Sequence, residues 1–280
     1  MKSLLKEIDE AINDIAFFKS VPQWQQRAEA RLTKRLRALY TEAEEAVLEQ
    51  LRIRGIPSDP VARQRLLLRM QEMQNEMGIA IGEAAKESAE HGKNKAVDDI
   101  RKAGKPIPKS PPLAESLARS LRNRAFDASD KTLKRHIGDV MGKLADAYEQ
   151  GLGIDDAAEL IRDQFKNMKD YELTRIARTE INNAQHKVAH ETIRNLGMQY
   201  EMWVAALDDR VRDSHEELHG EIVRIGDTFS NGLLHPGDRS GPPEETINCR
   251  CRVVPFIIPP DKMVPPGMTR FREGDLIDKI

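Results

Sequence analysis

The stretch QYEMWVAALD, Gln199–Asp208, divides the chain in two. Before it, from residue 1 to about 197, apolar residues recur at spacings of three and four between charges, the period of helices. Within it, aromatic and aliphatic residues gather into a run suited to a strand. GEIVRIGDTF (Gly220–Phe229) and CRCRVVPFII (Cys249–Ile258) read the same way, and glycine or proline clusters separate the three. The expected fold class is α+β: an extended, mostly helical N-terminal part followed by a small β-containing C-terminal domain.

Working back from the divide, AEARLTKRLRALYTEAEEAVLEQL carries Leu32, Leu36, Leu39, Ala43 and Val47 as one apolar stripe, and Pro57 and Pro60 end it. A second helix is expected from about Val61 to Ala89, with Leu66, Met70, Met73 and Met77 in a row that reads as core packing or an adaptable docking face. GKPIPKSPP, Gly104–Pro112, reads as a linker. Helices are expected to resume near Pro112 and again near Asp130, to stop at Gly151–Gly153, and to start again with Asp155 as cap. Working forward, the tail PPDKMVPPGMTRFREGDLIDKI has little to bury and is expected to be flexible. The expected divisions are 1–110, a long helical docking region; 111–197, a helical part; 198–258, the small β region; and 259–280, the tail.

Composition narrows the function classes. The chain has 280 residues, 32% charged and only 5% aromatic, which suits solvent-exposed amphipathic helices. A formal net charge of −2 gives no overall bias toward nucleic acid. One local excess stands out: His91 to His136 holds twelve Lys/Arg against five Asp/Glu. Phe126 is its single Phe, Tyr or Trp, too few for interleaved stacking platforms, so a solvated helical surface is the simpler account than a DNA contact. No apolar run approaches the ~18 residues of a membrane span. MKSLLKEIDEAINDIAFF carries acids inside its apolar stretch and does not read as a signal peptide. Two cysteines make no disulfide framework, so a reducing compartment is expected.

Three constellations could carry chemistry. In RIARTEINNAQ, a helix at about 100° per residue puts Leu173, Ala177, Ala184 and Val188 on one face. Glu180 falls in the middle of that face, flanked by Ile176 and Asn183, while Arg178 points nearly the opposite way. A carboxylate there is either a catalytic or ligand-binding group, or an anchor for backbone amides or for an arginine of the β region. In LDDRVRDSHEELHG, Leu207–Gly220, His215 and His219 are four apart and share a face on a helical turn. In HPGDRSGPPEETINCRC, Cys249 and Cys251 would direct both sulfurs to one side if they lay on a strand. With His215 and with His235 or His219 they could hold zinc tetrahedrally, although a one-residue spacing departs from that of zinc knuckles. Two buried thiols filling a small core are the plainer alternative, with Asn248 capping the loop above them.

The ordered series ARTEINNAQ, a tryptophan with LDDRVRDSHEELHG, then HPGDRSGPP and NCRC, resembles the phage minor head proteins, the Mu F-like head morphogenesis family. The resemblance runs from about Tyr171 to Val254. Within it Arg178, Glu180, Asn183, Asp208, Arg210 and Asn248 are the structural motif residues. Many relatives carry a histidine shortly before NCRC; this chain reads PPEETINCRC there, and its nearest histidine is His235. The resemblance implies a non-enzymatic virion component inside the head near the portal, assembled in the host bacterial cytoplasm. Its implied partner is the portal oligomer, with scaffold or major capsid protein and transient phage DNA as further contacts. The implied role is head assembly, DNA packaging or genome ejection. The rival class is an enzyme, either ADP-ribosyltransferase-like on Arg178-Thr179-Glu180 or a metal-dependent hydrolase using His215 and the cysteines.

Overall fold

A computed structural model describes residues 22–208 and 210–279. Its element order is α1 (Gln23–Arg54), α2 (Pro60–Leu66), α3 (Leu68–Glu72), α4 (Gln74–Lys102), α5 (Glu115–Glu149), α6 (Ile154–Asn167), a π-helical turn (Met168–Glu172) and α7 (Leu173–Asn195). β1 (Tyr200–Val204), α8 (Asp213–Glu216), β2 (Ile222–Arg224), α9 (Pro243–Thr246) and β3 (Arg252–Phe256) follow. The chain ends with β4 (Lys262–Met263), β5 (Arg270–Phe271), a 3₁₀ turn (Glu273–Asp275) and β6 (Ile277–Asp278). The α+β class is therefore as expected, helices first and short antiparallel strands last. The expectation that no signal peptide opens the chain concerns residues outside those described. No helix among the described residues is long and apolar enough to cross a membrane.

The chain folds as two compact units, each assembled from separated segments. One comprises Arg27–Glu87 and Ala114–Glu180, the other Ser88–Leu113 and Ile181 onward together with 22–26 among the described residues. The linear divisions expected from the sequence do not follow these boundaries, because α1, α4 and α7 each contribute residues to both units.

The first unit is all helix. In α1, Leu32, Leu36, Tyr40, Ala43, Val47 and Leu51 are buried, which is the stripe that the spacing of three and four requires. Gly55, in the left-handed region at φ 74°, follows its end. Asp59 opens α2 by accepting from the Ala62 amide at 2.9 Å, with Pro60 at the first helical position. The methionine row is core: Met70, Met73 and Met77 are fully buried. The single second helix expected there is three helices, broken at Leu67 and Met73, and the last runs on to Lys102. α5 is continuous through Asp130, where a new start was expected. Its buried residues Leu121, Ala125, Ser129, Leu133, His136, Val140 and Leu144 keep one face throughout. Gly153, not Asp155, is the N-cap of α6; Asp155 and Asp156 stand in its first turn, where their charge suits the helix dipole.

The second unit holds the sheet. Its strand order is β3-β1-β2-β5, all antiparallel, with Trp203 opposite Val253 and Met202 opposite Ile222. Its core gathers Trp203, Phe229, Leu233, Leu218, Val223 and Val253 with Ile100, Ala189 and Ile193 from α4 and α7. These two helices pass so closely that a Cβ on Gly92 would lie 2.2 Å from the Gln185 carbonyl oxygen. The tail is not loose. β5 closes the sheet against β2 with Phe271 opposite Ile222 and only 3% exposed. Arg272 donates to the Glu217 carbonyl at 2.5 Å, and β4 pairs with β6. The physical reason is that an unpaired β2 edge and one aromatic side chain recruit the segment, which its overall low apolar content conceals.

Candidate metal centre and motif residues

The helix that carries the motif begins in the first unit. Glu180 is 5% exposed and meets Arg124 of α5, with Arg124 Nη2 3.0 Å from Oε1 and Nε 2.8 Å from Oε2. The charged partner on that apolar face is thus a helical arginine, where an arginine of the β region was one of the expected alternatives. Arg178 turns the other way and donates to Glu29 of α1 at 3.1 Å.

In the second unit, Asn183 continues the same helix and donates from Nδ2 to the Gly237 carbonyl at 2.6 Å. That bond ties α7 to the His235–Asp238 turn. Gly237 has φ 74°, and a Cβ there would sit 3.4 Å from Asn183 Cα, so the turn suits a residue without a side chain. Asp208 pairs with Arg250 through both carboxylate oxygens, and the Arg210 amide donates to Asp208 Oδ1 at 3.1 Å. Although burial pushes the Asp208 carboxyl up, the Arg250 hydrogen bonds outweigh it and hold the group below its ordinary range. Asn248 sits at φ 62°, in the left-handed region that asparagine tolerates better than most residues.

Cys249 and Cys251 lie in the loop between α9 and β3, not on a strand. The expected consequence holds all the same, because the turn at Asn248 aims both sulfurs inward. Cys251 Sγ is 3.4 Å and Cys249 Sγ 3.7 Å from His215 Nδ1. All three residues are at least 98% buried. Their ligand atoms lie within 4.8 Å of one another, so the group could hold a metal ion. Each thiol is the main influence on the other. The Cys249 S–H donates to Cys251, which holds Cys251 well below the ordinary thiol range and Cys249 well above it.

His235 does not join this group, contrary to the sequence expectation. Its turn is fastened to α7, its Nδ1 faces the Pro236 carbonyl at 3.1 Å, and its ring packs 5.7 Å from that of His190. Burial pushes it down to about 4. His219 is half-buried and accepts from the Ala205 amide at Nδ1, 3.2 Å away.

The sequence reading missed two features. Glu245 of α9 accepts from His215 Nε2 at 2.9 Å; its only signal was its place beside the cysteines. Glu201, fully buried, lies 2.8 Å from His190 Nδ1. Its signal was legible, since the alternation of β1 places it on the same face as Trp203.

Residues 138–254 match the family model described as Phage Mu protein F like protein. Minor head protein GP7 of Bacillus phage SPP1 is 26% identical over 157 residues, covering 52% of this chain and 50% of that protein. A protein of Haemophilus influenzae described as uncharacterized is 28% identical over 125 residues, 44% of this chain and 26% of its own length. The NAD(+)--arginine ADP-ribosyltransferase EFV of Enterococcus faecalis is 33% identical over 89 residues, 30% of this chain and 18% of its own length. The chain spans half or less of the length of these curated relatives. No solved structure matches it. The family match and the head-protein relative bear out the resemblance to Mu F-like head proteins over the matched segment.

Proposed function

We infer, from a chain whose residues 138–254 carry a Mu F-like segment, that this is a phage minor head protein without catalytic activity. In this reading it resides in the virion, docks on the portal oligomer inside the head, and assists head assembly, DNA packaging or genome ejection. The helical region up to about residue 110 is the docking part, with scaffold or major capsid protein as neighbours and transient contact with phage DNA. Zinc held by His215, Cys249 and Cys251, with a fourth ligand completing the tetrahedron, fastens the C-terminal region. Structural zinc suits a small sheet whose long loops bury little apolar surface.

One observation carries the non-catalytic reading: the residues singled out in the sequence are engaged with other side chains or with backbone. Asn183 holds Gly237, Asp208 holds Arg250, and His215 faces both cysteines. A cleft of about 700 Å³ in the second unit is lined by Tyr200, Phe256, Met263 and their neighbours and by none of these residues. The ADP-ribosyltransferase relative supports the second reading, an enzyme on Arg178-Thr179-Glu180. Against it, Arg178 and Glu180 are both engaged in ion pairs with side-chain exposures of 19% and 6%.

The test is co-expression with the portal protein of the same phage. Co-elution with the portal oligomer, at a ratio fixed across salt concentrations, is the expected result. A chain that stays apart from the portal, or that transfers ADP-ribose from NAD to arginine substrates, would overturn the reading.

A further inference from the structure

The two nitrogens of His215 face different chemistry. Nε2 lies 2.9 Å from Glu245 Oε2, while Nδ1 lies 3.4 and 3.7 Å from the two sulfurs. A carboxylate offers only acceptors, so the proton of the neutral ring is on Nε2 and its lone pair is on Nδ1, toward the cysteines. Zinc bonds of ~2.3 Å to sulfur and ~2.0–2.1 Å to nitrogen, at a tetrahedral angle, separate the two ligand atoms by about 3.6 Å. The observed separations lie on either side of that value.

Glu245 is itself held from two directions. Ser214 Oγ donates to its Oε1 at 3.0 Å and Asn231 Nδ2 to its Oε2 at 3.3 Å. Its carboxyl therefore has a fixed orientation before any metal arrives.

Resting on the zinc reading above, we propose that Glu245 is the positioning residue of the metal site: it accepts from His215 Nε2–H and thereby makes Nδ1 the metal-binding nitrogen. It does not touch the metal. A histidine ligand whose second nitrogen donates to a carboxylate is locked in tautomer and ring angle, and it is a stronger base toward the metal. PPEETINCRC thus carries the orienting carboxylate as well as two ligands, with α9 placing Glu245 against α8.

The test uses the full chain purified without a metal-binding tag. Zinc affinity is measured by competition with a chromophoric chelator, and the thiolate absorption bands of the cobalt-substituted protein are recorded. Glu245→Ala should weaken zinc about tenfold to a hundredfold and shift the cobalt bands. Glu245→Gln, which still accepts through its amide oxygen, should recover part of the loss. Ser214→Ala, which removes one of the two donors that orient Glu245 but leaves the carboxylate and Asn231 in place, should weaken zinc by less than Glu245→Ala does. Parental affinity and parental cobalt bands in Glu245→Ala would overturn the proposal, as would equal weakening in Glu245→Ala and Ser214→Ala. A parent chain that binds no zinc would overturn the zinc reading itself, a result distinguishable from either of these.

Discussion

The two units are built by different means. The first buries unbroken helical stripes, such as Leu32 to Leu51 in α1 and Leu121 to Ala147 in α5. The second has a four-stranded sheet whose strands are two to five residues long. It is closed by single contacts, Asn183 on Gly237, Arg250 on Asp208 and Phe271 against the sheet, to which the proposed zinc at the His215 group would add another. A helical unit spreads its stability over many equivalent side chains, whereas a small sheet with long loops concentrates it in a few. Loss of one residue should accordingly matter more in the second unit, except where the helical unit buries a charge.

The sharpest way to break this contrast is truncation after Pro259. Loss of β5 uncovers the β2 edge and removes Phe271, so the shortened chain should be insoluble or rapidly cleaved by protease. A soluble, resistant product would mean that the tail is dispensable. Next in size, Trp203→Ala should destabilise by about 3–5 kcal/mol, because the ring is fully buried and packs against Phe229 and His215 at 5.1 and 5.2 Å; chemical denaturation measures it.

The buried ion pair of the helical unit comes third. Glu180→Ala leaves Arg124 without its carboxylate and should lower stability by about 3 kcal/mol. Glu180→Gln should lower it less, since a hydrogen bond survives. Melting of both variants like the parent would remove Glu180 from the account.

The smallest effect is one of pH. Burial lowers His235 from 6.5 to about 4, so between those values the unfolded chain binds more protons than the folded one. Stability should therefore fall as pH drops from 6.5 toward 4, by at most about 3 kcal/mol from this residue. His186, also lowered by burial, adds in the same direction, while His190, raised through Glu201, opposes it. Although burial itself lowers His190, its hydrogen bond to Glu201 prevails. His235→Gln should flatten the slope in urea melts across that range.

The legible parts of the sequence follow from the same contrast. The α1 stripe and the switch to strands at Gln199 were readable because periodicity is a property of many residues. The breaks at Leu67 and Met73 were not, since neither glycine nor proline marks them and tertiary packing decides. β5 escaped notice because two residues, Arg270 and Phe271, cannot display an alternation. At the candidate site, the cysteine pair was legible from its short spacing, and His215, 34 residues before Cys249, from its residue type in a polar segment. His235 was misplaced because nothing local reveals that Asn183 holds its turn to α7. The partners of Glu180 and His215, Arg124 and Glu245, lie 56 and 30 residues away in sequence, beyond the reach of any local pattern.

Amide hydrogen exchange with and without a metal chelator tests the central claim most directly, that the second unit depends on a few fastenings and zinc is one of them. With zinc at about a hundred times its Kd, chelation removes about 2.7 kcal/mol. Exchange in β1, α8 and the Asn248–Phe256 segment should then rise by about a hundredfold, while α1 and α5 amides within Arg27–Glu87 and Ala114–Glu180 keep their protection. Unchanged exchange throughout the second unit in zinc-loaded protein after chelation, or an equal rise in α5, would contradict the account.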